Sequence, residues 1–318
     1  MRFAPLLFLV AAALTPTCTA SAQTESTLQA FQDKEARLFE IGWRLARGNA
    51  PFCDVSRMAA GWLLHDASTY GDPAAVRTEL GLHGDIGIQA VAEGSPAAQA
   101  GLRRNDTLRS VNEAMIEHFP VSDPSWERLR DIRTAIDTEL GLSAPAIVGW
   151  QGAEGDLRGA ELVPVAVCAT QFELEPNSKR AVAEGSRVVI GDRFAGFAYD
   201  DDLLAAAVAH ELAHNVLKHR KWLDENGRGR RNVRSTEKEA DRLMPWLLAN
   251  AGYDPASAVR FMQQWGPRHG SGLFRARSHD GWDERAAFIE AELPRIAAAM
   301  ASGTADWSRA FTRELPAD

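Results

Sequence analysis

The chain has 318 residues, a formal charge of −8, 45% apolar residues and 25% charged ones. That length supports two modest domains with separate cores, and the composition is that of an ordinary globular protein, which excludes a disordered or fibrous chain. Acidic residues are in excess and no basic stripe carries interleaved aromatics, so nucleic acid is excluded as an expected partner.

The first residues, MRFAPLLFLVAAALTPTCTASAQ, set a positive charge at Arg2 before an apolar run from Phe3 to Leu14 and close on Ala20, Ser21 and Ala22. A dozen or so apolar residues fall short of the ~20 a helix needs to span a bilayer. A charged start, an apolar middle and a small-x-small end instead describe a cleavable secretory signal, residues 1–22. Thr15, Pro16 and Thr17 ahead of Cys18 make a poor lipid-attachment context. No later segment is apolar enough to span a membrane, so a soluble periplasmic or secreted protein is expected. Without Cys18 the pair Cys53 and Cys168 remains. In an oxidising compartment it reads as one disulfide, with two buried thiols as the alternative.

Leu28, Phe31, Leu38, Ile41 and Leu45 recur at helical spacing and predict an amphipathic helix over 24–47, ended by the turn from Gly48 to Pro51. The pattern then becomes irregular to about residue 80. From residue 83 the text runs HGDIGIQAVAEGSPAAQAGLRRNDTLRSVNEAMI. It predicts a strand at Ile86–Val91, a short alanine-rich helix, and a second strand at Thr107–Val111. On the stretch GSPAAQAGL it resembles a PDZ domain of the bacterial protease-associated type. Asn105 stands where that family has a turn glycine, and asparagine tolerates the left-handed conformation such a turn needs. Glu113 replaces a second glycine and implies a different hairpin. With a helix expected near 123–140 and strands near 146–151 and 157–165, the PDZ-like unit spans 80–166. The resemblance implies an extended peptide added to a sheet edge, its carboxylate caught by the loop Leu82–Gly87, with Gly84, Ile86 and Gly87 as the clamp. A spacer without a ligand is the alternative.

Beyond residue 168, Val188–Ile190 reads as a strand, and Asp200, Asp201 and Asp202 provide a capping start to a helix carrying AVAHELAHNV. The cluster Arg228–Arg231 reads as a solvated loop. On a helix, His210 and His214 lie one turn apart on one face, as two imidazoles binding one tetrahedral Zn²⁺ require. Glu211 lies about 100° further round, placed to take a proton from water without ligating the ion. Two histidines at this spacing also occur on helices with no metal, so a third ligand decides. A metzincin would carry glycine and histidine where this chain has Leu217 and Arg220, and that branch is excluded. His219 falls on another helix face and reads as structural. Glu237 and Asp241, four apart, are expected to supply instead a third ligand and a carboxylate to orient a ligand histidine, with an ordinary charged helix face as the alternative. Glu239 projects oppositely and is expected in solvent.

These motifs resemble the HtpX and CAAX-prenyl-protease type of zinc metallopeptidase (a gluzincin, metallopeptidase family 48). The resemblance rests on His210-Glu211-Leu212-Ala213-His214, Glu237 with Ala240 and Asp241, the stretch Ala251–Pro255, and Ser278-His279 with Arg285. It spans about 168–290, with Asp280 in place of a proline and Met244-Pro245 in place of a small or glycine-containing stretch. It implies that His279 lies near the metal as an oxyanion stabiliser or gate, with Arg285 buttressing it. It also implies that the strand at Val188, Val189 and Ile190 is the edge on which an extended substrate lies.

The expected architecture is therefore α+β. A mainly helical zincin-type catalytic domain (167–318, with 23–79 as its N-terminal helical part) carries a small edge sheet and an inserted β-rich PDZ-like domain. The expected function is a one-zinc endopeptidase acting on protein or peptide substrates, by analogy misfolded envelope proteins. The rival is a PDZ-based peptide-binding or chaperone-like module whose zinc site is gated or vestigial.

Overall fold

The computed structural model describes residues 26–121, 126–142, 144–269 and 281–315. The expected signal segment, residues 1–22, lies outside them. The chain opens with α1 (Thr27–Asn49), whose N-terminus is closed by a reciprocal capping box between Ser26 and Gln29. Its buried face, including Leu38, Ile41, Trp43 and Leu45, enters the main core. Gly42 lets α1 approach the sheet closely, since a Cβ there would stand 2.3 Å from the Phe172 ring.

The chain leaves this body along β1 (Ser56–Ala59). It then forms β2 (Trp62–Asp66), α2 (Pro73–Leu80), β3 (Ile86–Val91), α3 (Pro96–Gln99), β4 (Thr107–Val111), β5 (Ala114–Met115), α4 (Trp126–Leu142), β6 (Ala146–Gln151) and β7 (Leu157–Leu162), and returns along β8 (Val165–Cys168). Strands β1 and β8 pair antiparallel with Ser56 opposite Cys168. Cys53 and Cys168 are disulfide-bonded, Cα to Cα 5.6 Å. The excursion is thus a stalked insert.

The insert holds a six-stranded sheet ordered β2-β3-β4-β6-β7, with β5 paired to β4. It has its own core of Ile86, Ile88, Leu108, Val148, Ile132 and Ile136, among others. The sheet begins at Trp62, where the sequence suggested a boundary at 80, because residues 62–66 pair along β3. Asn105 adopts φ 70° as expected, and Asn112 (φ 47°), ahead of Glu113, takes the left-handed position in the β4–β5 turn. The insert rests on α1 through both polar and apolar side chains: Gln32 donates to Gln89 (3.0 Å) and to Asn105 (2.8 Å), and Leu28 packs against Ala67, Val76, Leu80 and Leu82.

Back in the body, β9 (Gln171–Glu175), β10 (Ala181–Ala183) and β11 (Arg187–Gly191) form a second sheet ordered β10-β11-β9, antiparallel then parallel. Helices α5 (Asp201–Val216), α6 (His219–Asn226), α7 (Arg230–Asn250), α8 (Ser257–His269), α9 (Trp282–Glu290), α10 (Leu293–Met300) and α11 (Trp307–Ala310) complete it. Asp200 caps α5 by accepting from the Leu203 N–H, and α5 is alanine-rich and buried almost all round because α1, α7, α8 and the sheet pack on it. Pro245 lies inside α7, which continues to Asn250. No helix among the described residues is long and apolar enough to cross a membrane.

Candidate metal centre and its cleft

His210 and His214 project from one face of α5, and Glu237 faces them from α7, which packs alongside. The two histidine Nε2 atoms stand 3.2 Å apart. Each lies 3.5 Å from a Glu237 carboxylate oxygen. Two donor atoms bound at ~2.0–2.1 Å to one tetrahedral ion stand about 3.3–3.4 Å apart. The three residues therefore fit a zinc ion in both chemistry and spacing. Among the described residues they are the group whose donor atoms come together in this way.

Each histidine turns its other ring nitrogen to a partner. His210 Nδ1 lies 3.1 Å from Asp241 Oδ1, and Asp241 accepts two hydrogen bonds from Arg285, at 2.6 and 2.7 Å. Burial acts against the Asp241 charge, yet Arg285 and His210 hold its carboxyl below the usual range. Burial also disfavours a charge on His210, but Asp241 and Glu237 overcome it and push the imidazole up to about 10. His214 is pushed down to about 3, first by burial and then by the neighbouring histidines, so its ring is neutral and free to ligate. Arg285 is placed on Asp241, with Glu237 at 3.8 Å. His279, which the resemblance set beside it, falls outside the described residues.

Glu211 lines the cleft in front of this centre with Lys179, Ala181, Phe194, Phe261 and Trp265. Enclosure pushes its carboxyl up to about 7; His210 and a backbone hydrogen bond from Ala183 pull the other way, while Glu237 adds to the rise. The strand beside it differs from expectation. Val188, Val189 and Ile190 lie on β11, whose neighbours β10 and β9 occupy both sides, so no substrate can pair there. The free edge facing the cleft is β10, held against α5 by Asn215, which accepts from the Gly185 N–H at 2.8 Å.

One further expectation is corrected, and one residue gains a named partner. His219, read as structural, is buried with its Nδ1 2.9 Å from His214 Nδ1. Lys218, at φ 57°, ends α5 and starts α6 at a new angle, which returns His219 to His214. Glu239 is fully buried, not solvated, and accepts from His219 Nε2 at 3.0 Å. The opposite face of α7 is covered by α6 and residues 313–315, so opposite does not mean exposed. The Arg228–Arg231 stretch is surface-exposed as read, and Arg230 already opens α7.

A family model for the PDZ domain matches residues 87–120. The insert is PDZ-like. Neither a curated protein nor a solved structure matches the chain significantly. A PDZ-like domain fits peptide binding, but the clamp expected at Gly84, Ile86 and Gly87 leads into β3, which is paired to β2 and β4. Gly87 serves packing: a Cβ would stand 2.4 Å from His65 Nε2. The sheet's free edges are β2 and β7. Beside β2 runs α4, whose Arg133 donates to the Leu64 carbonyl at 2.9 Å and reaches Glu173 of β9 at 3.3 Å. Leu63, Leu129, Arg133 and Asp137 line the groove between that edge and α4.

Proposed function

We infer that the protein is a zinc-dependent endopeptidase whose PDZ-like insert holds the peptide or protein substrates. One observation carries this reading: the triangle of His210, His214 and Glu237 donor atoms at 3.2 and 3.5 Å, each imidazole backed at Nδ1, with Glu211 in the same cleft. The likeness to HtpX-type metallopeptidases in HExxH, Glu237 and Asp241 supports it.

Zinc, when bound, supplies Lewis acidity, acidifying water and polarising a carbonyl. Asp241 keeps a proton on His210 Nδ1 and so turns the Nε2 lone pair inward. Glu211 takes a proton from the attacking water and returns it to the leaving amine, a task suited to a carboxyl near neutrality. An extended substrate pairs its main chain with the free edge of β10. Phe194, Phe261 and Trp265 accept an apolar side chain beside the scissile bond. His279 remains the candidate for oxyanion stabilisation or gating. The disulfide supports an oxidising compartment, periplasmic or extracellular, where misfolded envelope proteins are the natural substrates.

The test compares zinc content and casein cleavage for the wild type, Glu211→Gln and Glu237→Ala. Glu211→Gln should keep zinc and lose cleavage; Glu237→Ala should lose most of both. Cleavage by Glu211→Gln at the wild-type rate refutes the mechanism. A wild type without zinc and without chelator-sensitive activity would leave the PDZ-based binding module, which the PDZ match favours as the second reading.

A further inference from the structure

The mechanism leaves two buried groups beside the metal centre unused. His219 is 1% exposed and Glu239 0%. Their hydrogen bonds run in one direction. His214 turns Nε2 toward His210 and Glu237, so its proton sits on Nδ1 and His219 Nδ1, 2.9 Å away, accepts it. His219 then carries its own proton on Nε2 and donates to Glu239 Oε2 at 3.0 Å. The chain of carboxylate, imidazole and ligand imidazole parallels the Asp241–His210 arm, lengthened by one ring.

What holds Glu239 is unusual. Besides His219 it receives Arg313 Nε at 2.9 Å on Oε2, and the backbone N–H groups of Glu314 and Leu315 (2.8 Å) on Oε1. A buried carboxylate needs such donors, because its charge is otherwise prohibitively desolvated. Three of the four come from residues 313–315. The same segment is tied along α7, where Lys238 pairs with Glu314 at 2.7 Å. The Leu315 side chain clusters with Trp222 and Leu223 of α6, the helix that begins at His219.

We propose that segment 313–315 is a positioning device for the metal centre: by satisfying Glu239 it fixes His219, and through His219 the tautomer and ring plane of His214. His219, Glu239 and Arg313 are positioning residues; none lines the cleft. The proposal rests on the metallopeptidase reading and adds a dependence of metal affinity on a segment remote in sequence from every ligand. By linkage, the dependence is reciprocal: ion binding at His214 stabilises the docked segment.

The test uses the full chain and measures zinc affinity per folded molecule by competition with a chromophoric chelator. His219→Phe and Glu239→Gln should each weaken binding about 10–100-fold, the cost typical of losing such a partner. His219→Gln, which keeps an acceptor for His214 and a donor for Glu239, should recover most of the loss. Leu315→Pro deletes one N–H while keeping an apolar side chain, and Arg313→Met deletes one cationic donor; each should weaken binding several-fold. Glu239→Gln combined with Arg313→Met should be no weaker than Glu239→Gln alone, since both act on one link. In the wild type, zinc should slow amide exchange at Leu315. Leu315 and Arg313 lie at the rim of the network, so their variants decide the matter if a core variant does not fold. A purely structural role would lower the unfolding midpoint of the metal-free variants and leave zinc affinity of the folded fraction unchanged; that result overturns the proposal. So does wild-type affinity in both rim variants with no response of Leu315 exchange, an outcome that leaves the metallopeptidase reading standing. A wild type that binds no zinc overturns both.

Discussion

Replacing Glu211 by glutamine should stabilise the metal-free protein, and by an amount that depends on pH. Glu211 lies in the cleft among apolar and acidic neighbours, with its carboxyl raised from 4.5 to about 7. Its ionised form is therefore disfavoured by about 3 kcal/mol relative to the unfolded chain, at ~1.4 kcal/mol per pH unit of displacement. Because the residue is half-buried rather than sealed, solvent reduces this to about 2–3 kcal/mol. A raised carboxyl binds its proton more tightly when folded, so the penalty is absent below pH 4.5, grows as pH rises toward 7 and is complete above it. Thermal unfolding of chelator-treated wild type and Glu211→Gln, followed by tryptophan fluorescence, should give equal midpoints at pH 4.5. At pH 8.5 the variant should be higher by about 5–10 °C. Added zinc should shrink the difference, since a cation beside Glu211 offsets the cost of its charge. A gain of equal size at both pH values would refute the reasoning, as would no gain at pH 8.5.

Cys53→Ser combined with Cys168→Ser opens a closed loop of 115 residues; chain entropy puts the loss at about 4–5 kcal/mol in urea unfolding, and a loss below about 1 kcal/mol would refute that account. Arg285→Met removes the bidentate partner of Asp241 and should cost about 3 kcal/mol or more near neutrality. Arg285 holds the Asp241 carboxyl low, so its stabilisation is present above the ordinary carboxylate range and is lost in acid. The gap between variant and wild type should therefore close as pH falls below about 4, as denaturation at several pH values would reveal. Gly42→Ala sets a methyl group 2.3 Å from the Phe172 ring and should destabilise by about 1–3 kcal/mol through displacement of α1 from β9; an unchanged unfolding midpoint would show the two are not in close contact.

The grouping of the candidate metal ligands was legible because its parts are local. His210 with His214, and Glu237 with Asp241, are i, i+4 pairs on single helices, and helical geometry alone sets them facing one way. What lies beyond a single helix left no such local trace. What His219 touches depends on Lys218, whose left-handed backbone breaks the helix and turns the imidazole toward His214. The reading of Glu239 assumed that the far face of α7 meets water, but α6 and residues 313–315 cover it. Strand order is equally non-local: Val188, Val189 and Ile190 suggested a strand, and their unbroken apolar run was itself a sign of a strand covered on both faces rather than an edge. In the insert, GSPAAQAGL marked the PDZ-like unit. Residues 62–66 did not declare themselves, since a short buried strand without alternation has no periodic signature.

The stalk of the insert bears on how such a protein can change. The chain departs and returns through neighbouring strands, Ser56 opposite Cys168, with a disulfide at the base. Some 110 residues therefore hang from a gap that a tight turn could close, and the footing on α1 mixes polar pairs such as Gln32 and Gln89, which water can satisfy, with the packing of Leu28 on Ala67, Val76, Leu80 and Leu82. Excision would uncover the Leu28 side of α1, an apolar patch that a few polar substitutions could mend. The part that would select a ligand and the part that would break a bond can accordingly be exchanged, lost or tuned one at a time, and a lineage could alter what it captures while its chemistry stays the same.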